Sequence, residues 1–326
     1  MKRAIVTGGT GCVGRNLIDV LEKDNWEIIV LHRKSSDLSK LEGCKVNTVE
    51  VDFEDKNSLL RAIPFKANAI FHVAANLSHE PGADKQQWLD NVQATGYLAE
   101  VAITQKVERF IFTSTGATIP YHTKGEEACH SIKNTYVRTK RLAELELYKF
   151  INQNLDYVIL HPIIVIGKYD YNNYSTIFKL LKDSFFKRAF DGNFTFCDAE
   201  QIAKAHLSAY YRGKKCEHYL LGGVYSSWVE LSNTAAKILK LNTKVKPIPY
   251  PLLKIISYFA YFYATLFRKK QHLTPQVADL VGRGEPQFNL YLQNKSKSDL
   301  GYNPEGQSIE KMVGSCINWM QVSGKI

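Results

Sequence analysis

Tyr136 and Lys140 stand four residues apart. On a helix that spacing places both side chains on one face. A Lys ammonium beside a phenol favours the phenolate and lowers its pKa. Tyr136 is therefore expected to give or take a proton nearer neutral pH than a free phenol would. Thr115 follows the run 108–113 (ERFIFT), which reads as a strand, and its hydroxyl could hydrogen-bond a reacting carbonyl oxygen. A Tyr and a Lys at this spacing occur by chance in many helices, so the elements around them decide their weight.

Arg3 to Thr7 reads as a short buried strand. Gly8, Gly11 and Gly14 follow, then Leu17, Ile18, Val20 and Leu21 at helical spacing, then a second strand from Glu27 to Leu31. Strand, glycine turn, helix and strand in this order form a dinucleotide-binding unit. Gly8 permits the tight turn, Gly11 lets backbone approach a pyrophosphate, and Gly14 lets helix and strand pack closely. The helix N-terminus then turns its free N–H groups toward the phosphates. An NAD site places Asp or Glu at the end of the second strand to hold the ribose 2′-hydroxyl. Here the strand ends in His32, Arg33 and Lys34. Two cations suit a 2′-phosphate, so NADP is the expected cofactor and NAD the alternative.

The alternation continues through a strand at 45–51 ending in Asp52-Phe53, a helix from Ser58, and a strand at 68–73 ending in His72-Val73-Ala74-Ala75. A long helix at 88–106 contains Asn91, the strand 108–113 ends at Thr113, a helix runs from Tyr136 to Asn152, and a sixth strand covers 156–161. Such a pattern predicts an α/β fold with a doubly wound parallel sheet, whose ligand lies beyond the carboxyl ends of the strands. Residues 1–166 are expected to form the dinucleotide-binding domain. Residues 167–326 would form a smaller, mostly helical substrate domain, with 193–224 returning to the sheet.

With these motifs in view, the chain resembles the extended short-chain dehydrogenase/reductase superfamily, the NAD-dependent epimerase/dehydratase family in the broad sense. The matching residues are Thr7-Gly8-Gly9-Thr10-Gly11-Cys12-Val13-Gly14, Asp52, His72 to Ala75, Asn91, Thr115, Tyr136, Lys140 and Pro162 to Gly167. The resemblance implies that Thr10, Cys12 and Val13 join the glycines around the cofactor, and that Asp52 and Phe53 flank the adenine. Ala74 and Ala75 would lie along the cofactor's middle, and Asn91 and Thr113 would also contact it. Lys140 would hold the nicotinamide ribose as well as tune Tyr136, while Pro162 and Ile164 border the nicotinamide. Thr115 stands where the family usually has Ser, His161 where it commonly has Arg, and Gln201 where it usually has Asp. The branch that the chain most resembles holds dihydroflavonol reductases, 3β-hydroxysteroid dehydrogenases and epimerase-like proteins of bacterial hopanoid clusters. By the same resemblance, helices 88–106 and 136–152 would form a homodimer interface.

The chain has 326 residues, 42 basic and 32 acidic side chains and a net charge of +10. That excess is localised: residues 1–200 carry 25 basic and 25 acidic residues, whereas residues 201–326 carry 17 and 7. Residues 255–267 hold no charge and six aromatics, preceded by Lys254 and followed by Arg268-Lys269-Lys270. Thirteen residues are too few for a bilayer span, which needs about 20. A lid or packing helix, a peripheral membrane contact through 251–270 and a dimer contact are the three readings of this run. Nucleic acid is not an expected partner, because the cations accompany an apolar helix rather than a nucleic-acid module. The six cysteines, Cys12, Cys44, Cys129, Cys197, Cys216 and Cys316, show no ligand spacing, so neither a disulfide framework nor a metal site is expected. The apolar triplet Ala4-Ile5-Val6 is too short for a signal peptide, and a cytoplasmic protein, on or off the inner membrane surface, is the expectation.

The leading functional expectation is an NADPH-dependent reductase, or the reverse dehydrogenase, of a ketone or aldehyde on a hydrophobic small molecule. Thr115 and Tyr136 would bind the carbonyl oxygen, Tyr136 would give the proton, and Lys140 would stabilise the phenolate. The rivals are a sugar-nucleotide epimerase or dehydratase with tightly held NAD, and a non-catalytic dinucleotide-binding protein.

Overall fold

The computed structural model describes residues 1–78, 82–122, 126–171, 173–183, 187–267, 274–275, 278–279 and 290–326. The cations Arg268, Lys269 and Lys270 lie outside the described residues.

Period-two alternation in β1 (Arg3–Thr7) sends Ala4 and Val6 to one face of a sheet and Ile5 to the other. Both faces are covered, as all-parallel sheets require. On the first face Ala4 and Val6 meet Leu17, Ile18 and Leu21 of α1 (Cys12–Lys23) and, from far along the chain, Ile202, Ala203 and Ala209. Opposite them, Ile5 packs in a cluster with Leu59 of α2 (Lys56–Ala62), Leu98 and Val101, and Ala143 and Leu147. The strands are β1, β2 (Glu27–His32), β3 (Asn47–Glu50), β4 (Ala69–His72), β5 (Arg109–Thr113), β6 (Tyr157–Pro162) and β10 (Glu217–Leu221). Their order across the sheet is β10-β6-β5-β4-β1-β2-β3, and every pairing is parallel. This is a Rossmann-like doubly wound sheet, as the alternation predicts.

One long helix differs from its expected form. It begins earlier, as α3 (Asp84–Trp88), passes through a π turn at Leu89–Gln93, and continues as α4 (Ala94–Thr104). The wide turn contains Asp90 and Asn91, both buried. Such single π turns within α-helices are frequent at functional sites. Helix α5 (Thr135–Tyr148) starts where the Asn134 carboxamide oxygen accepts from Val137 N at 3.1 Å, so Tyr136 falls in its first turn.

In the second half, β7 (Ile164–Ile166), β9 (Asn193–Asp198) and β11 (Val224–Ser227) form a separate three-stranded sheet. Beyond α6 (Ser175–Asp183), the short strands β8 (Arg188–Phe190) and β12 (Lys246–Ile248) pair with each other. The part of 193–224 that rejoins the large sheet is α7 (Ala199–Arg212) with β10, and β9 and β11 stay in the small one. Helix α7 starts at the Asp198 carboxylate, which accepts from Glu200 N and Gln201 N, so Asp198 supplies the polar contact at the position beside Gln201. The remaining helices are α8 (Trp228–Ile238), α9 (Tyr250–Phe267), α10 (Leu290–Leu300) and α11 (Ile309–Val322), of which α10 packs on β10 and α7.

Helix α9 buries Leu253, Ser257 and Ala264. Ile255, Tyr258, Phe259, Phe262, Leu266 and Phe267 are each more than half exposed, so α9 is no core helix. No helix among the described residues is long and apolar enough to cross a membrane.

Candidate active site

The glycine turn is built by backbone conformation and by missing volume. Gly8 has φ +73°, the left-handed region that side chains avoid, and a Cβ there would lie 2.7 Å from Ala74 N. A Cβ on Gly14 would lie 2.1 Å from the Gly8 carbonyl oxygen. Helix α1 begins at Gly11 with no side-chain cap, which leaves its first N–H groups for a ligand. Across from this turn, the end of β4 is held by an ordered chain. Ala74 N donates to Thr7 Oγ1 at 3.2 Å, Thr7 Oγ1 lies 2.7 Å from His72 Nδ1, and His72 Nε2 lies 2.9 Å from Thr95 Oγ1. Because Thr95 donates to Asn91 O, it accepts from His72 Nε2–H, and the Thr7 hydroxyl donates to Nδ1.

A cleft of about 510 Å³ runs over these strand ends. Gly8, Thr10, Gly11, Cys12, Val13, Gly14, Arg33, Phe53, Ala74, Ala75, Thr113, Thr115, Tyr136, Pro162 and Ile164 line it together. Lys34, Asp52, Asn91 and Lys140 do not line it. Asp52, expected at the adenine, accepts from Glu54 N at 2.9 Å in its own turn. Asn91, expected on the cofactor, instead fastens the loop after β4. Its Oδ1 accepts from Asn76 N at 2.7 Å, and its Nδ2 donates to Asn76 O and Thr139 Oγ1, each at 3.0 Å. Sequence reasoning missed Ser35, Ser36, Leu77, Asp90, Asn173, Tyr174 and Phe194, which also line the cleft. The run Ser35-Ser36 directly after the two cations was the one signal available for the first two.

Arg33 stands at the rim and pairs with Asp90, Nη2 to Oδ1 2.8 Å, with its guanidinium over the Phe53 ring. Its backbone N donates to Ser36 Oγ at 3.1 Å, which curls the turn around the rim.

Tyr136 reaches the cleft next to Thr115. Burial pushes its phenol up to about 12, and the hydrogen bond with Thr115 acts the other way. The phenol is thus raised rather than lowered toward neutrality as expected, because burial outweighs the groups that favour the phenolate. Lys140 is 1% exposed, its Nζ sits 4.0 Å from the centre of the Phe112 ring, and it meets no hydrogen-bond partner among the described residues. Burial pulls its ammonium down to about 7, partly opposed by the Glu144 carboxylate. A buried amine without a partner fits a ligand that brings hydroxyl oxygens, as a ribose does. The open helix end, the close glycine cradle and this amine together fit a nicotinamide dinucleotide.

Behind the strand ends, away from the cleft, lies a polar cluster that sequence reasoning did not see. Glu144, one turn after Lys140, is fully buried and is met by Ser114 Oγ, Thr118 Oγ1 at 2.7 Å, His122 Nε2 at 2.9 Å and Arg141 Nη1 at 2.9 Å. Burial opposes its charge, but the electrostatic effect of nearby His161 and the hydrogen bonds from His122 and Ser114 outweigh burial and hold the carboxyl well below its usual range. His161, which stands where the family commonly has Arg, points into this cluster. Its Nδ1 lies 3.2 Å from Thr115 O and its Nε2 2.9 Å from His218 Nδ1. Burial lowers His161 to about 4 and His218 to about 3, so both are neutral at pH 7.

Comparison with known proteins agrees with this geometry. The sequence model of the NAD dependent epimerase/dehydratase family matches residues 4–222. The chain is 27% identical to sterol demethylase protein B of Methylococcus capsulatus, over 99% of each chain. It is 29% identical to a putative dihydroflavonol 4-reductase of Synechocystis, over 67% of this chain and 66% of that one. The crystal structure of gox2253 superposes with a TM-score of 0.80 over all of both chains at 23% identity, a likeness of fold.

Proposed function

The chain belongs to the NAD dependent epimerase/dehydratase family, within the extended short-chain dehydrogenases/reductases, and is an NAD(P)-dependent enzyme of that type; from this premise we propose that it is an NADPH-dependent reductase of a ketone or aldehyde on a hydrophobic small molecule. The composition of the cleft carries the reading. One end is rimmed by Arg33, Ser35 and Ser36, with no carboxylate at the end of β2, and the other is walled by Ala117, Val137, Ile163, Val165, Tyr174 and Phe194. Cations and hydroxyls suit a 2′-phosphate, and an apolar wall suits a substrate without sugar or phosphate groups.

The bound dinucleotide supplies the hydride. The residues do the rest. Thr115 and Tyr136 converge on one side of the cleft and donate to the substrate's carbonyl oxygen. A phenol at about 12 is fully protonated at neutral pH, which suits the acid needed for reduction. As the carbonyl oxygen gains electron density it takes the Tyr136 proton. Lys140, one helical turn on, would stabilise the phenolate by its charge and, with the dinucleotide bound, would hold the ribose.

The test is direct. Purified protein is titrated with NADPH and NADH and assayed on carbonyl compounds, beside Tyr136→Phe. NADPH should bind more tightly, and the variant should lose at least about 100-fold in rate while keeping cofactor affinity. Near-normal turnover by Tyr136→Phe sinks the assignment. One observation favours the epimerase reading: Asp90 lines the cleft and engages Arg33. Co-purified NAD with no preference for the 2′-phosphate would establish that alternative.

The exposed aromatic side of α9 supports a second element, contact with an anionic bilayer surface. The helix carries no acidic residue, and the excess of basic over acidic residues lies in 201–326. Aromatic side chains and nearby cations are the pairing that interfacial helices use. Sedimentation with vesicles of anionic lipid should retain the wild type and release a Phe259→Ser/Phe262→Ser variant. Equal retention of both argues against it.

A further inference from the structure

His122, His161 and His218 come from three unrelated parts of the chain, yet one ring nitrogen from each lies within 4.8 Å of the other two. Their ring centres form a nearly equilateral triangle with sides of 5.1, 5.1 and 5.2 Å. An imidazole bound through nitrogen at about 2.0–2.1 Å puts its ring centre roughly 3 Å from a metal ion, so three tetrahedral ligands have ring centres roughly 5 Å apart. We propose that these three imidazoles form a binding site for one divalent transition ion, with Zn²⁺ the best match, behind the catalytic strand ends and separate from the dinucleotide cleft.

The outer contacts match what a ligating histidine needs. A metal-bound imidazole donates its other N–H to a carboxylate, a carbonyl or a similar oxygen, which fixes the ring. His122 Nε2 faces the Glu144 carboxylate at 2.9 Å, His161 Nδ1 faces Thr115 O at 3.2 Å, and His218 Nε2 faces Tyr148 OH at 3.0 Å. In the tautomers that direct those three N–H groups outward, which a bound ion would select, His122 Nδ1, His161 Nε2 and His218 Nδ1 keep their lone pairs. Without an ion, Tyr148 OH, which accepts from Arg141 Nη1 at 3.2 Å, donates to His218 Nε2, and the His218 Nδ1 proton fills the 2.9 Å gap to His161 Nε2. Arg141 is close, but Glu144 already neutralises it at 2.9 Å. His122 is partly open to solvent, which supplies a way in and a water for the fourth position. Imidazole ligands favour the later first-row ions over Mg²⁺ or Ca²⁺.

An ion here would tie β6 and β10 to the segment that follows Thr115. It would fasten the hydroxyl's mounting without touching substrate, so the site's role is structural.

Co²⁺ is the probe, since it replaces Zn²⁺ and reports its own coordination in the visible spectrum. The full chain is stripped with chelator and titrated with Co²⁺, then with Zn²⁺. One Co²⁺ per chain is expected, with the strong d–d absorption of a tetrahedral nitrogen site, and Zn²⁺ should bleach it. His122→Gln and His218→Gln should each weaken Co²⁺ binding by at least about 100-fold. His122→Gln tolerates the test best because its side chain is partly exposed, and its melting temperature should lose the rise that Zn²⁺ gives the wild type. Absence of stoichiometric binding, equal binding by the histidine variants, or a thiolate-to-cobalt charge-transfer band would each overturn the proposal. The first of these results would leave the cluster as three imidazoles sharing protons.

Discussion

Replacing Lys140 with Met is expected to stabilise the cofactor-free protein and to abolish its activity. The amine is 1% exposed and has no hydrogen-bond partner among the described residues, and burial pulls it down to about 7. In the unfolded chain a Lys holds its proton to about pH 10.4. Between those two values the unfolded state binds more protons than the folded one, so stability rises with pH across that window and the cost is full below pH 7. At about 1.4 kcal/mol for each tenfold change in the equilibrium, the cost is on the order of 4 kcal/mol. Met keeps the apolar stem against Phe112 and forfeits a cation–π contact of about 1 kcal/mol. The net gain at pH 7 is therefore about 2–4 kcal/mol. For 326 residues, at about 2.1 cal/mol/K each, this raises Tm by about 3–6 °C. The assay is thermal or urea unfolding of both proteins, free of cofactor, from pH 6 to pH 10. The advantage of Lys140→Met should shrink by about 1.4 kcal/mol per pH unit above pH 7 and vanish near pH 10. Melting at or below wild type at pH 7, or a difference that ignores pH, would show that the amine is not an unpaired buried charge.

Gly14→Ala places a Cβ 2.1 Å from a backbone oxygen that cannot move aside without opening the turn. It should cost at least about 2 kcal/mol in urea unfolding and remove NADPH binding, and unchanged affinity would disprove the close-packed turn. Arg33→Ala should lower NADPH affinity by about 10–100-fold, the worth of a charged hydrogen bond, and leave NADH nearly unchanged. Equal losses for the two cofactors would show that Arg33 does not read the 2′-phosphate.

Much of the first half is legible in the sequence. Strand, glycine turn and helix have local causes: apolar alternation in β1, the spacing of Gly8, Gly11 and Gly14, and the apolar stripe of α1. Helical spacing put Tyr136 and Lys140 on one face and Thr115 was read at a strand end, while the Tyr136–Thr115 hydrogen bond itself came from the fold. Boundaries were less exact because caps set them, as Asn134 does for α5. The family resemblance put Asn91 on the cofactor; the π turn at Leu89–Gln93, which leaves no periodic mark in the sequence, turns it onto the loop at Asn76. The return of α7 and β10, without β9, depended on which strands find partners, and a list of strands does not state that.

By itself the sequence determined the alternation of strands and helices that makes a parallel sheet and the glycine cradle, and it offered Tyr136 and Lys140 on one helical face with Thr115 after a strand. The cradle and the Tyr136–Lys140 spacing are local, where backbone geometry alone dictates the neighbours. Tertiary structure decided the rest, because it depends on distance and solvent. Lys140 is an orphaned amine near neutrality rather than a plain ammonium, since packing against Phe112 removes its water. Arg33 meets Asp90 across the cleft because β2 and the π turn converge there. His122, His161 and His218 lie far apart in the chain, and the adjacency of β6 and β10, with the segment after Thr115 folded against them, draws them into one triangle.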